Sequence, residues 1–158
     1  MRLRLLAVGR MKGVEADLAA RYDGRLVRSA RAVGMDWRGT TEVPEARAAD
    51  GAARMAAEAD VLLAKADGAT LIAFDERGDT CSSVEFARTI ERLRDAAAGE
   101  LALAVGGPDG HGEAVRERAV RLVGFGRMTW PHQLARVMVL EQLYRATTIL
   151  AGHPYHRA

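Results

Sequence analysis

With 158 residues, 49% hydrophobic and 28% charged, the chain can bury one real core and is neither disordered nor fibrous in composition. A single cysteine, Cys81, excludes an intramolecular disulfide framework and fits a reducing cytoplasm. No apolar run nears the roughly 20 residues that span a bilayer. The net charge of +2 is unevenly spread: residues 1–31 hold eight Lys/Arg against three Asp/Glu, residues 111–158 seven against three, and residues 40–60 are acidic. This permits a polyanionic partner without requiring one.

The opening MRLRLLAVGRMKG has a charged start and a short apolar stretch, but Arg4 interrupts it. Residues 3–8 therefore read as a buried strand rather than a signal peptide. A helix is expected over 14–32, with Leu18, Tyr22, Leu26 and Ala30 on one face, then a strand over 35–43 ending at Pro44. The alanine-rich stretch 45–66 reads as helix despite Gly51. Residues 70–74 form a strand and 75–79 a turn. Ser82 and Glu85 make a capping box, and Phe86, Ile90, Leu93 and Ala97 recur at helical spacing until Gly99. Residues 101–105 are apolar throughout, as in a central parallel strand covered on both faces. A short helix over 113–119, a short strand over 120–124 and a last helix over 133–150 complete a βα alternation. The expected fold is α/β with a mainly parallel sheet, in one domain over 1–158.

The last helix is apolar on nearly all sides, which makes a homodimer the first explanation and a deeply inserted intrachain helix the second. Gly106-Gly107-Pro108-Asp109-Gly110 follows the central strand, at the carboxyl edge where parallel sheets bind ligands. It matches neither a Walker A loop nor a GxGxxG fingerprint, and a plain turn and a ligand loop stay equally open. Phe125-Gly126-Arg127-Met128-Thr129-Trp130-Pro131 combines small, aromatic and sulfur side chains with free backbone, suited to enclosing a flat heterocycle, and Pro131 also leads into the helix. In that helix, Glu141 and Arg145 have ion-pair spacing. Nothing at helical spacing neutralises Arg136, and His132 suits a base or a hydrogen-bond donor, against the ordinary structural histidine near a helix start. His153 and His156 lack a third ligand, so a metal site is not expected. Tyr155, His156 and Arg157 suit stacking on RNA bases and contact with phosphate, against the ordinary frayed terminus.

AVGGPDG, MTWPHQLARVMVLEQLYRA and the terminal HPYHR resemble the ribosomal RNA large-subunit methyltransferase H family, and the opening LRLLAVGRMK and element spacing extend the resemblance over essentially the whole chain. It implies a SPOUT-class fold with a C-terminal trefoil knot, a rare exception among chain connections, and a homodimer. It further implies S-adenosylmethionine as methyl donor and N3 of a pseudouridine in 23S rRNA as acceptor, on assembled ribosomes, with no membrane or DNA partner. Carried over by position, the cofactor site comprises Phe74, Gly106, Phe125, Gly126, Arg127, Met128, Thr129 and Trp130. Tyr155, His156 and Arg157 surround the target nucleotide, and His132 and Arg136 are further catalytic candidates. Phe74 stands where leucine is usual in the family. His111-Gly112 falls where relatives vary. The basic residues often found after the second strand are missing in Val43-Pro44-Glu45-Ala46-Arg47, leaving RNA contacts there unsupported. A ribosome-binding module without catalysis is the competing class. An enzyme of small phosphorylated metabolites is disfavoured, because the Gly106 loop holds no Lys or Arg.

Overall fold

The computed structural model describes residues 1–157; Ala158, the last residue of the expected domain, lies outside them. Ten elements alternate: β1 (Arg2–Val8), α1 (Gly13–Ala32), β2 (Asp36–Val43), α2 (Gly51–Lys65), β3 (Thr70–Asp79), α3 (Ser83–Asp95), β4 (Glu100–Val105), α4 (Glu113–Arg118), β5 (Arg121–Val123) and α5 (His132–Leu150). The strands form one sheet in the order β2-β1-β4-β3-β5, and every neighbouring pair is parallel.

Alternation along the strands divides the core in two. Leu3, Leu5, Ile72, Leu101 and Leu103 face α1, α3 and α5. Leu6, Leu71, Ala73, Ala102 and Ala104 face the other side, where Ala59, Leu62 and Val115 of α2 and α4 cover them. Alanines on both partners let α2 lie close to the sheet. Each fully buried leucine contributes roughly 1.5–3 kcal/mol relative to exposure. The apolar β4 lies between β1 and β3, buried from Leu101 to Val105, as its sequence implied.

α5 finds most of its cover within the chain. Val137, Val139, Leu140, Leu143 and Ala146 are buried in the core shared with α1 and α3. Thr147 Oγ1 donates to Ser29 Oγ of α1 at 2.8 Å, and Ser83 Oγ of α3 donates to Gln142 Oε1 of α5 at 2.7 Å.

Several details differ from the sequence reading. α2 begins at Gly51, not at residue 45: Asp50 accepts the Ala53 N–H at 2.7 Å as N-cap, while Glu58 accepts the Ala46 N–H at 2.9 Å and holds the preceding segment off the helix. α3 keeps both bonds of its capping box but ends at Asp95, because Ala97 takes a φ of +57°. On α1, Ala19 rather than the 39% exposed Leu18 joins the core. Residues 75–79 are not a free turn: Val123 pairs with both Phe74 and Asp79, so β3 bulges around β5. Gly78 is required there, since a Cβ would lie 2.5 Å from the Val123 carbonyl carbon.

Candidate active site

The carboxyl ends of β3, β4 and β5 converge on a cavity of about 270 Å³. Phe74, Val105, Val123 and Phe125 contribute apolar wall. Phe125 stacks on Phe74 with ring centroids 5.3 Å apart and planes 19° from parallel, and Phe74 in turn meets the edge of Phe86 at 5.9 Å. Phe74 thus supplies a second stacked ring beside Phe125.

The glycine loop after β4 closes on itself. Gly110 N–H donates to Gly107 O at 3.0 Å, and a Cβ on Gly106 would sit 2.7 Å from the Gly110 carbonyl. Only glycine fits at 106. Arg54 of α2 pins the loop from outside through a bidentate pair with Asp109, at 2.7 and 3.1 Å. This arrangement holds the Asp109 carboxyl below its ordinary range.

A second ion pair lies in the wall. Arg116 Nε of α4 donates to Asp75 Oδ2 at 2.9 Å, with the Asp75 side chain only 2% exposed, and the Arg77 N–H occupies Oδ1 at 2.9 Å. Both Asp75 oxygens are thereby satisfied, as a buried carboxylate requires. Sequence reading missed Asp75, Arg116 and Arg54. Asp75 sat in an expected turn, and no local spacing links it to Arg116 or Arg54 to Asp109.

Among the sequence candidates, Phe74, Gly106, Phe125, Gly126, Met128, Thr129, Trp130 and His132 all line this cavity. Met128 and Trp130 are 73% and 41% exposed at its lip. Arg127 lies in the same loop without lining the cavity. His132 Nε2 is 4.0 Å from Glu45 Oε1, which makes the segment after β2 part of the surroundings. His111, whose contacts sequence left open, is buried beneath the loop, with Nε2 3.4 Å from Ala104 O and Nδ1 without a partner. Burial pushes its pKa down, so it is neutral near pH 7.

Arg136 differs from its expected state. The sequence showed nothing to neutralise it, yet Glu42 of β2 does so at 2.8 Å, and Gly9 O accepts a further bond at 3.2 Å. A partner 94 residues away is invisible to helical spacing. Burial alone would raise the Glu42 pKa. The Met11 N–H and Arg136 outweigh it and hold the carboxyl below its ordinary range.

The tail lies elsewhere. Tyr155 OH donates to Glu141 Oε1 at 3.0 Å, its ring meets the Tyr144 edge at 4.8 Å, and the Arg145 guanidinium stands 4.9 Å over it. Arg145 pairs with Glu141 as its spacing suggested and lies 3.5 Å from His156 Nδ1. Burial, followed by the bonds to Tyr22 and Glu141, pushes the Tyr155 phenol well above its ordinary pKa. None of Tyr155, His156 and exposed Arg157 lines the chain's own cavity.

A parallel five-stranded sheet carrying such a cavity at its carboxyl edge has close counterparts. A family model described as "Predicted SPOUT methyltransferase" matches residues 1–156. The solved structure of a probable methyltransferase from Bordetella pertussis Tohama I shares the fold, with a TM-score of 0.55 over 92% of this chain and 95% of that one, at 17% identity. The chain belongs to the SPOUT methyltransferases. Proteins called ribosomal RNA large subunit methyltransferase H from Brucella anthropi and Rhizobium meliloti are 48% and 49% identical to it, in each case over all of both chains. Within the class, it is a member of that family.

Among the described residues, no helix is long and apolar enough to cross a membrane.

Proposed function

We propose that this chain uses S-adenosylmethionine to methylate N3 of a pseudouridine in 23S rRNA, on assembled ribosomes in the cytoplasm, as a homodimer. The observation that carries the reading is the cavity itself: the Gly106 loop and the 125–130 loop meet around it, and these are the loops whose sequences carry the family resemblance. The relatives from Brucella anthropi and Rhizobium meliloti are named as ribosomal RNA large-subunit methyltransferases.

The residues present fit the donor. A heterocycle finds flat apolar surface at Phe125 and Trp130, soft contact at Met128, and bare backbone at Gly106 and Gly126. The bound donor supplies an electrophilic methyl group on a sulfonium. This chain's residues must hold the two reactants in line, which removes the entropic part of the barrier, and must manage the N3–H proton. N3 gives up that proton, forms the new N–CH3 bond, and the C–S electron pair returns to sulfur. His132, in the cavity wall, and His156, on the tail, are the candidate bases, with solvent water as the third. Arg157 is the candidate for stabilising negative charge on the flanking carbonyl oxygen. Arg136, committed to Glu42 and Gly9, is assigned a positioning role.

Because the tail packs on α5 away from its own cavity, its action on the target nucleotide is read as occurring in the second subunit's site. Val14 and Leu18 of α1, Leu134 of α5, and Met128 and Trp130 of the preceding loop are exposed, and supply apolar surface for that pairing. The double pairing of Val123 inside the 75–79 bulge supports a knotted passage of the chain.

Labelled methyl transfer to intact ribosomes, isolated subunits and free rRNA, with mapping of the product, tests the reading. Methylation of a carbon or a ribose hydroxyl overturns the N3 assignment. Failure of the purified protein to bind S-adenosylmethionine favours the ribosome-binding module without catalysis.

A further inference from the structure

Along the edge of the sheet, between β5 and α3, lies a second hollow of about 510 Å³ whose walls include Arg88, Arg92 and Arg121. The three guanidiniums have no carboxylate within 4.0 Å among the described residues. Two carboxylates share the hollow and neither pairs with these arginines, although the charge of Glu85 acts on Arg88 and Arg121 from nearby. Glu85 accepts the Ser82 N–H at 2.7 Å and the Ser82 hydroxyl at 2.8 Å, and Glu91 faces Arg94 at 3.6 Å.

The arginines are also organised. Buried Thr89 accepts from Arg121 Nη1 at 2.6 Å and from Arg92 Nη2 at 3.3 Å, while its own hydroxyl donates to Glu85 O at 3.0 Å. One hydroxyl thus holds two like charges together, an arrangement that costs energy unless an anion neutralises them. Guanidinium forks match phosphate oxygens in geometry as well as charge.

The hollow lies close to the site described above, separated from it by one smaller cavity. It shares Thr80 and Cys81 with a smaller cavity, which in turn shares Phe74, Val123, Phe125 and Gly126 with the donor cavity. We propose that the hollow of Arg88, Arg92 and Arg121 is a phosphate-binding site that holds the backbone of single-stranded RNA leading to the donor cavity. That the RNA is a substrate rests on the function proposed above; the binding site does not. Its place beside the donor cavity favours RNA over an acidic protein surface.

The test compares the full chain with an R88Q/R92Q variant, which alters two exposed side chains, and with R28Q/R31Q, which removes equal charge from the end of α1. Anisotropy of a labelled single-stranded oligoribonucleotide is read across a salt series, alongside steady-state methylation of ribosomes. R88Q/R92Q is expected to weaken oligoribonucleotide binding about tenfold and to lower the slope of log affinity against log salt by roughly 1.4, at about 0.7 per lost phosphate contact. R28Q/R31Q should change neither, and the KM for ribosomes should rise in R88Q/R92Q with the KM for S-adenosylmethionine unchanged. Equal losses in both variants overturn the site in favour of general charge, as does failure of the wild-type chain to bind the oligoribonucleotide. Loss of ribosome affinity with oligoribonucleotide binding intact overturns it in favour of an acidic protein partner. If the binding results hold but ribosomes are never methylated, the site stands and the function falls.

Discussion

Arg54 and Asp109, 55 residues apart in sequence, meet through two hydrogen bonds that tie α2 to the glycine loop of the candidate cavity. Asp109 lines the cavity and Arg54 holds it, so the pair acts on a bound donor by fixing the loop and the Asp109 carboxylate. Arg54→Ala or Asp109→Asn should raise the KM for S-adenosylmethionine about three- to tenfold, with kcat at saturating donor nearly unchanged, as expected when uniform binding is lost. The pair is exposed, so the wild-type advantage should shrink in high salt. Steady-state kinetics at two ionic strengths check both points. A fall in kcat at unchanged KM would show that the clamp acts on the reacting atoms instead.

Gly106 and Gly110 belong to one loop but need glycine for different reasons. A Cβ at 106 would collide with backbone at 2.7 Å, whereas one at 110 meets nothing within 4 Å and suffers only from a φ of +83°. Gly106→Ala should therefore cost about 1–3 kcal/mol of stability, typical of overpacking, and abolish measurable S-adenosylmethionine binding. Gly110→Ala should cost about 1 kcal/mol from strain in the left-handed region and weaken binding only modestly. Thermal melts with donor titrations by calorimetry separate the two, and equal effects would contradict the geometry.

What could be read from sequence follows the range of the interaction that decides it. The apolar run of β4 and the Ser82–Glu85 capping box are set by neighbours within a few residues, and both are present. The start of α2 was missed because alanine propensity pointed to residue 45, whereas the Glu58 bond to Ala46 and the Asp50 cap decide the boundary. In the candidate site, aromatic and glycine loop residues were legible because they are contiguous. Asp75–Arg116, Arg54–Asp109 and Arg136–Glu42 were not, because each joins elements that meet only once the sheet is assembled. The bulge of residues 75–79 around Val123 is likewise a consequence of strand order, which no periodicity encodes.

Three carboxylates should contribute to the acid limit of stability. Glu42, Glu85 and Asp109 all lie below their ordinary values of 4.5, 4.5 and 3.8. For Glu85 the leading cause is the Ser82 backbone N–H, followed by the Ser82 hydroxyl. A carboxylate whose pKa is depressed on folding contributes stability that is fully present above its unfolded value. That contribution is lost as pH falls through the folded one. The melting temperature should thus hold near neutrality and fall as pH drops below the ordinary carboxylate range. Glu85→Gln should lower stability at pH 7 and make the acid limb shallower, because one of the protons taken up on unfolding is removed. An acid limb unchanged in slope would exclude Glu85 as a contributor.

Arg136 offers a way to separate positioning from chemistry. It is 7% exposed, holds Glu42 and Gly9 O, and sits one helical turn after His132 on α5, so it fixes that helix start against β2 and the segment after β1. Arg136→Met would remove the guanidinium from the Gly9 carbonyl and leave the Glu42 carboxylate with the Met11 N–H alone. Breaking a fully buried pair costs about 3–5 kcal/mol, but the Glu42 side chain is 38% exposed and regains water. A loss of about 1–3 kcal/mol is therefore expected. Arg136→Lys keeps the charge but not the fork, and should recover part of that stability. If Arg136 only positions α5, activity below the melting transition should follow stability across Arg, Lys and Met, and the pH profile of kcat should keep its shape. If its guanidinium instead touches the reacting nucleotide, Arg136→Lys will lose kcat by orders of magnitude while remaining folded, and the positioning role will be wrong.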